Sequence, residues 1–244
     1  MHQILDNIKV VLCDTSHQGN IGSSARAMKT MGINNLVLVN PKEKPDDHAV
    51  ALSCNATDVI NNAIILDTLD EAINDCTLII GLSSRKRELS TLLYTPKQII
   101  NDILIEINKQ HKIALVFGSE KFGLSIEQIT KCNRLVTIPG NPNYFSLNLS
   151  QAVQIMCYEI YSNFKDDISH LKSNVELATN QDNIGIINHL KQILNNNKYY
   201  NNKNQERLDR RLKHIIDKAM LERDEVDLIR GILKNIETHS NKST

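Results

Sequence analysis

The chain has 244 residues, enough for one large domain or a medium domain with a small appendage, and it can bury a core without disulfide or metal staples. Its 28 Lys and Arg balance 28 Asp and Glu, so the mean field attracts no polyanion and any hold on nucleic acid must come from a local patch. The five cysteines (Cys13, Cys54, Cys76, Cys132, Cys157) are scattered and include no CxxC pair, which gives no zinc or dithiol motif and predicts reduced, buried thiols. The opening MHQILDNIKV does not read as a leader and no apolar run approaches the length of a bilayer span, so a cytoplasmic protein, without membrane or metal, is expected.

In chain order, IKVVLC from Ile8 predicts a strand, and Ile21 to Met31 predicts a helix closed by Gly32 as its C-cap. LVLVN from Leu36 and AIIL from Ala63 follow as strands, then a short helix from Leu69 to Asn74 and the strand TLIIG from Thr77. A helix from Pro96 to Lys109 begins on proline; the strand IALVFG from Ile113, a helix from Ser125 to Cys132 and the strand RLVTIP from Arg134 complete the alternation. The six strands are almost continuously apolar, the pattern of strands covered on both faces, so the fold class is α/β with a mostly parallel sheet and helices on both faces. A longer helix from Asn148 to Phe164 carries an apolar set, from Leu149 through Val153, Met156 and Ile160 to Phe164, too wide for one core contact; its own sheet and a second subunit would cover it. Beyond residue 164 there is no proline. Residues 165–181 read as a linker and 182–244 as a small helical domain, with helices near Asn183 to Leu194, Glu206 to Met220 and Arg223 to Ile236. The Asn-rich stretch Asn195 to Asn204 reads as a solvated loop, with base stacking by Tyr199 and Tyr200 as the alternative.

Nucleotide fingerprints are poorly matched. GNIG at Gly19 to Gly22 is neither GxGxxG nor a P-loop, and the second strand ends in Asn40 where a Rossmann fold places an acid for the ribose. A GxxG loop also clamps RNA in KH domains, but here it follows a buried strand of a large sheet. Gly22 and Arg26 are four apart on one helical face, and the missing side chain at Gly22 would leave space for a group to dock beside the guanidinium; an ordinary surface arginine is the alternative. Asn20 sits near the helix start, where its amide can cap. Three further loops leave strand ends and are rich in small residues: GLSSRKR from Gly81, FGSEKFGL from Phe117 and IPGNPNYFSLN from Ile138. Ligands of open α/β sheets bind at the carboxyl ends of strands, so the three together form a candidate pocket, although tight turns alone also account for the glycines. Arg85 and Arg87 lie in the first of these loops, as surface charges or as contacts to a phosphate backbone.

Taken in order, Asn20-x-Gly22-x-x-x-Arg26, LVFGSEKFGL and IPGNPNYFSLNLSQAV resemble the three motifs of the SPOUT ribose 2′-O-methyltransferases, densely over residues 6 to 164. SHQGNIGSSARAMKTMG, LVLVNPK and NPNYFSLNLSQAVQIMCYE are most similar to the TrmJ type, which methylates a ribose at nucleotide 32 in the tRNA anticodon loop, on cytidine or uridine. The resemblance implies a deep trefoil knot, an obligate homodimer and S-adenosylmethionine bound in a bent form. By matching motif positions it implies Leu82, Ser83, Ser84, Gly118, Ile138, Phe145, Ser146 and Leu147 for the cofactor. It implies Arg26, Ser146 and Asn148 for chemistry, and Asn20, Arg85, Arg87 and Glu120 for the RNA. Ser119 departs from the basic or amide residue often found at that place. Because a guanidinium stays protonated, Arg26 would grip the neighbouring phosphate and stabilise alkoxide charge, and would not serve as the base. Two competing readings stay open: a non-catalytic RNA-binding knot protein, which would have lost Arg26 or the SLN turn, and a 2′-O-methyltransferase acting at another tRNA or rRNA site.

Overall fold

The computed structural model describes residues 5–83, 93–144, 146–164, 176–197, 199 and 205–240. They form two compact units, Met1–Ser173 and Asn174–Thr244.

In the first unit seven strands pair into one sheet: β1 (Ile8–Cys13), β2 (Asn35–Val39), β3 (Ile64–Leu66), β4 (Leu78–Leu82), β5 (Leu93–Tyr94), β6 (Ile113–Phe117) and β7 (Arg134–Val136). The order is β3-β2-β1-β6-β4-β7-β5 and every pairing is parallel. The central register aligns Leu12 and Leu82 with Phe117 on either side of β6. Consequently the chain leaves β1, β6, β4 and β7 along one edge of the sheet, which brings loops far apart in sequence to one place. Around the sheet lie α1 (Gln18–Thr30), α2 (Asp47–Ser53), α3 (Thr57–Asn61), α4 (Leu69–Ile73), α5 (Pro96–Asn108), α6 (Ile126–Thr130) and α7 (Leu149–Asn163). One face of the sheet packs Val11, Val37, Ile79 and Val116 against Leu69 and Ile73 of α4 and Ile129 of α6. Helix α1 packs on α2 and α7, and α5 on α7.

Local signals set the helix starts. Thr68, Thr95 and Ser125 form capping boxes with Glu71, Gln98 and Gln128, and Asp46 accepts from the backbone N–H groups of His48 and Ala49 to open α2. The short α2 and α3 and the two-residue edge strand β5 are elements the periodicity did not announce. Two expectations need correction. AIIL is an edge strand open on both faces, with the successive residues Ile64 and Ile65 at 56% and 40% exposure, and β3 has a neighbour only in β2. Of the five cysteines, Cys54 is exposed: it ends α2 at φ +52°.

In the second unit α8 (Asn180–Asn196), α9 (Gln205–Ala219) and α10 (Arg223–Ser240) enclose Ala178, Ile186, Ile193, Leu221, Val226 and Leu233. Of the stretch expected as a linker, residues 165–175 lie outside the described residues. Glu176 and Ala178 exchange backbone hydrogen bonds with Arg223 and Leu221, and Thr179 caps α8 in a box with Asp182. Asn195 and Asn196 still belong to α8, and Tyr199 is exposed; Tyr200 lies outside the described residues.

Candidate active site

At the carboxyl edge of the sheet a cleft of about 340 Å³ is lined by Leu82 at the end of β4 and Ser83 after it, by Gly118 and Glu120 after β6, and by Ile138, Ser146 and Leu147 after β7. Its size falls in the range of small-molecule sites, roughly 300–1,000 Å³. Six of the residues expected around a cofactor are therefore brought together; Ser84 and Phe145 lie outside the described residues, as do Arg85 and Arg87. The floor is backbone. A Cβ on Gly118 would stand 2.1 Å from the backbone of Gly123 and Leu124, and Gly123 N–H donates to the Ser119 carbonyl at 2.8 Å with Gly123 at φ +66°. Only glycine permits this loop to fold back on itself so closely.

At the rim, six residues from the start of α1, the loop after β6 and the start of α7 form one hydrogen-bonded chain. The Glu120 carboxylate accepts from Ser16 N–H at 3.1 Å, Ser16 Oγ at 3.0 Å, His17 N–H at 3.2 Å and Asn20 Nδ2 at 3.0 Å. Asn20 Oδ1 accepts from Asn148 Nδ2 at 2.9 Å, and Asn148 Oδ1 accepts from Ser150 N–H and Oγ at 2.9 and 2.7 Å. Both ends of the chain fix its direction, since an ionised carboxylate only accepts and a backbone N–H only donates. The amide of Asn20 must turn its nitrogen to Glu120, and that of Asn148 must turn its nitrogen to Asn20. Each amide keeps one N–H without a partner among the described residues. Partial burial raises the Glu120 carboxyl, but the hydrogen bonds from Asn20 and Ser16 outweigh it and hold the pKa below the usual carboxylate range. Beyond the rim, an open polar groove runs along Ser16, His17, Asn20, His48, Asn148 and Ser150.

The structure revises three site expectations. Asn20 does not cap α1: His17 holds the N-cap position without a side-chain bond, and Glu120, a hundred residues away in sequence, satisfies the exposed N–H groups instead. The Glu120 carboxylate, expected to face the RNA, accepts hydrogen bonds from Ser16, His17 and Asn20. The space at Gly22 is closed, because a Cβ there would lie 2.1 Å from the Ala49 carbonyl oxygen of α2; glycine serves close helix packing and leaves no room for a ligand. Arg26 is exposed, donates from Nη1 to Cys54 Sγ at 3.3 Å, and is absent from the lining of both cleft and groove.

Asp14, Asn40 and Gln128, which line neither cleft nor groove, form a polar cluster that the sequence reading does not anticipate. Asp14 and Asn40 follow β1 and β2 with φ of +53° and +46°, and the Asp14 carboxylate accepts from Asn40 Nδ2 at 2.7 Å and Gln128 Nε2 at 2.8 Å. Asn and Asp directly after apolar runs are the available signal, since both tolerate the left-handed region.

A parallel α/β sheet with a cleft built from loops at its carboxyl edge defines a small-molecule-binding fold of the enzyme type. Residues 7–158 match the SpoU rRNA Methylase family, and residues 181–244 match the C-terminal domain of tRNA methyltransferase TrmJ. A tRNA (cytidine/uridine-2′-O-)-methyltransferase TrmJ from Photorhabdus laumondii is 40% identical over 242 residues, covering 98% of this chain and all of the relative. Among solved structures, TrmJ from Z. mobilis ZM4 superposes with a TM-score of 0.82 at 28% identity, over 94% of this chain and 98% of that one. A methylase family protein from Neisseria gonorrhoeae does so at 0.70 and 43% identity, over 76% and 95%. The chain belongs to the SpoU methylase family, with the C-terminal domain of the TrmJ group.

Proposed function

We propose that this protein transfers a methyl group from S-adenosylmethionine to the ribose 2′-hydroxyl of cytidine or uridine at nucleotide 32 of the tRNA anticodon loop. The observation that carries the reading is the convergence of the ends of β4, β6 and β7 on one cleft whose rim is the Glu120–Asn20–Asn148 chain, which brings in the first motif through Asn20. The cleft fits the cofactor: Leu82, Ile138 and Leu147 offer apolar walls for a flat base, while Ser83, Ser146 and the backbone of 118–123 supply donors and acceptors. When bound, that cofactor supplies an electrophilic methyl on a sulfonium. The protein's share is positioning: its residues would hold the ribose 2′-oxygen in a dry site, oriented towards the methyl group that the cofactor would supply. Asn20 and Asn148 each present an N–H to the ribose, and Glu120 is a positioning residue that acts through them. Arg26 grips the adjacent phosphate and stabilises the developing alkoxide; a phosphate oxygen or a water takes the proton.

Arg26 lies six residues beyond Asn20, about 9 Å along α1 and on another side of the helix, so it reaches a cleft only if a second protomer brings it there. The exposed side of α7, with Tyr158 and Tyr161 at 56% and 45% exposure, supports a homodimer through that helix. Residues 1–164 form the methyltransferase domain, which carries the trefoil knot, and the helical unit from Asn174 onward, whose core already includes Ala178, is the domain that grips tRNA outside the reacting loop. The protein works in the cytoplasm; among the described residues no helix is long and apolar enough to cross a membrane.

The test is single-turnover methylation of tRNA beside thermal unfolding with and without S-adenosylmethionine. Arg26→Ala and Arg26→Lys are expected to lose about a hundredfold or more in rate with the fold intact, since lysine offers a point charge in place of a planar fork. Arg26→Ala turning over at the wild-type rate refutes the role given to Arg26. Mixed Arg26→Ala and Asn148→Ala protomers regain activity that neither has alone; a mixture that stays inactive refutes the shared site.

A further inference from the structure

Helix α9 carries its charges unevenly. Each of its acidic residues is matched: Glu206 to Arg210 at 3.8 Å, Asp209 to Lys191 of α8 at 3.0 Å and Asp217 to Lys213 at 2.7 Å. What remains is Arg207, Arg211, His214 and Lys218, at i, i+4, i+7 and i+11. With 3.6 residues per turn these four fall within about 60° of one another and run for about 16 Å along the axis. Arg207, Arg211 and Lys218 are exposed, and none of the four has an ion-pair partner among the described residues. Ile216, packed against the core of the second unit, lies on the opposite side of the helix. Like charges at i, i+4 destabilise a helix, and no acidic group among the described residues pairs with Arg207 or Arg211.

We infer that this face of α9 is a docking surface for an RNA phosphate backbone. The inference rests on the tRNA reading proposed above and supplies it with a surface. In a chain of zero net charge, three permanent cations left uncompensated on one face are the local patch that a polyanion requires. Two of them are arginines, whose planar forks match phosphate oxygens in pairs. The apolar side of α9 is committed to the core through Ile216, and Ile215, 60% exposed beside the basic stripe, is a single side chain, too little apolar surface to lay into a membrane. The contacts carry no base readout: they orient the tRNA and leave the choice of nucleotide to the cleft.

The experiment measures tRNA affinity of the full chain between 50 and 300 mM salt for wild type, an Arg207→Gln/Arg211→Gln/Lys218→Gln variant and an Arg210→Gln control. The triple variant is expected to flatten the slope of log K against log salt by about 2–3 and to bind about 100-fold more weakly near 0.1 M, while Arg210→Gln changes little. Affinity for S-adenosylmethionine and the melting temperature stay at wild-type values, and Arg207→Lys/Arg211→Lys keeps the salt slope. If wild type methylates tRNA and the triple variant keeps both affinity and slope, the inference is wrong while the enzymatic reading stands. If wild type fails to methylate tRNA, the reading beneath the inference falls first. If the variant loses binding only to vesicles of anionic lipid, the surface is a membrane surface and the inference is overturned.

Discussion

Replacing Gly22 by alanine separates a packing glycine from a docking gap. Intrinsic helix propensity favours the change by about 1 kcal/mol, because glycine pays the larger backbone entropy in a helix interior. Packing opposes it. The new Cβ would stand 2.1 Å from the Ala49 carbonyl oxygen and 3.1 Å from Ser53 N, so α2 must withdraw by more than 1 Å before ordinary contact at 3.4 Å is restored. The clashing atom is backbone on a neighbouring helix and cannot rotate aside, which places the cost near the upper end for overpacking, about 3 kcal/mol. The net loss of about 2 kcal/mol corresponds to a melting temperature lower by about 4–8 °C for a unit of this size. Thermal unfolding followed by far-UV circular dichroism reads the shift, and calorimetric titration with S-adenosylmethionine should find the affinity hardly changed because Gly22 does not line the cleft. A melting temperature equal to or above wild type, coupled to lost methylation, would refute the packing argument and reinstate a docking space beside Arg26.

Glu120→Gln leaves the rim without its acceptor-only end, so the amides of Asn20 and Asn148 are free to turn over; single-turnover methylation should slow by about 10–100-fold with a small loss of stability, and a wild-type rate would remove Glu120 from the positioning chain. The Asp75 carboxyl is raised by partial burial but, bonded to Lys112 at 2.8 Å and Lys9 at 2.5 Å, is held at about 2 overall. Its folded value is depressed, so its contribution is present above the usual carboxylate range and is lost as pH falls from about 4 towards 2. Urea titrations across that window should show Asp75→Asn with a flatter pH dependence than wild type, and identical slopes would discard the assignment. Burial pushes the Cys76 and Cys157 thiols up to about 12 and raises Cys13 further, whereas Cys54 is exposed beside Arg26. Iodoacetamide should therefore alkylate Cys54 first by mass spectrometry and slow methylation by displacing the guanidinium; Cys54→Ser should resist the reagent, and an alkylated protein of full activity would refute the link.

The sheet was legible because its strands sit between two layers of helices, so IKVVLC, TLIIG and IALVFG read as buried runs without reference to their neighbours. The signal failed where that condition failed. Leu93–Tyr94 is too short to carry a pattern, and AIIL reads as fully buried although Ile64 and Ile65 face outward at the edge. Helix α2 left a cap, Asp46, but its seven residues hold too few turns to establish a period. Strand order is harder still. Nothing along the chain states that β6 lies between β1 and β4, and that placement is what sets Glu120 beside Ser16 and Asn20.

The cleft and the arginine differ in what a sequence can encode about them. Leu82, Gly118, Ile138 and Ser146 share a cleft because each ends or follows a strand whose end lies on one edge, so their proximity is a property of the sheet and is inherited from any sequence that makes it. The meaning of Gly22 is of another kind: the sequence records that a side chain is missing and not what occupies the space, and here the Ala49 carbonyl of an unannounced helix fills it. The same helix ends in Cys54, the residue that holds Arg26. An arginine four residues after a glycine therefore shares with it the same neighbour, not a ligand. The spacing Gly22-x-x-x-Arg26 is the footprint of α2 on α1: glycine lets α2 approach, and its far end meets the guanidinium one turn on. A functional role for Arg26 must come from what its exposed face meets outside its own subunit, a phosphate or a second cleft, and cannot be read from the intrachain contacts that the motif records.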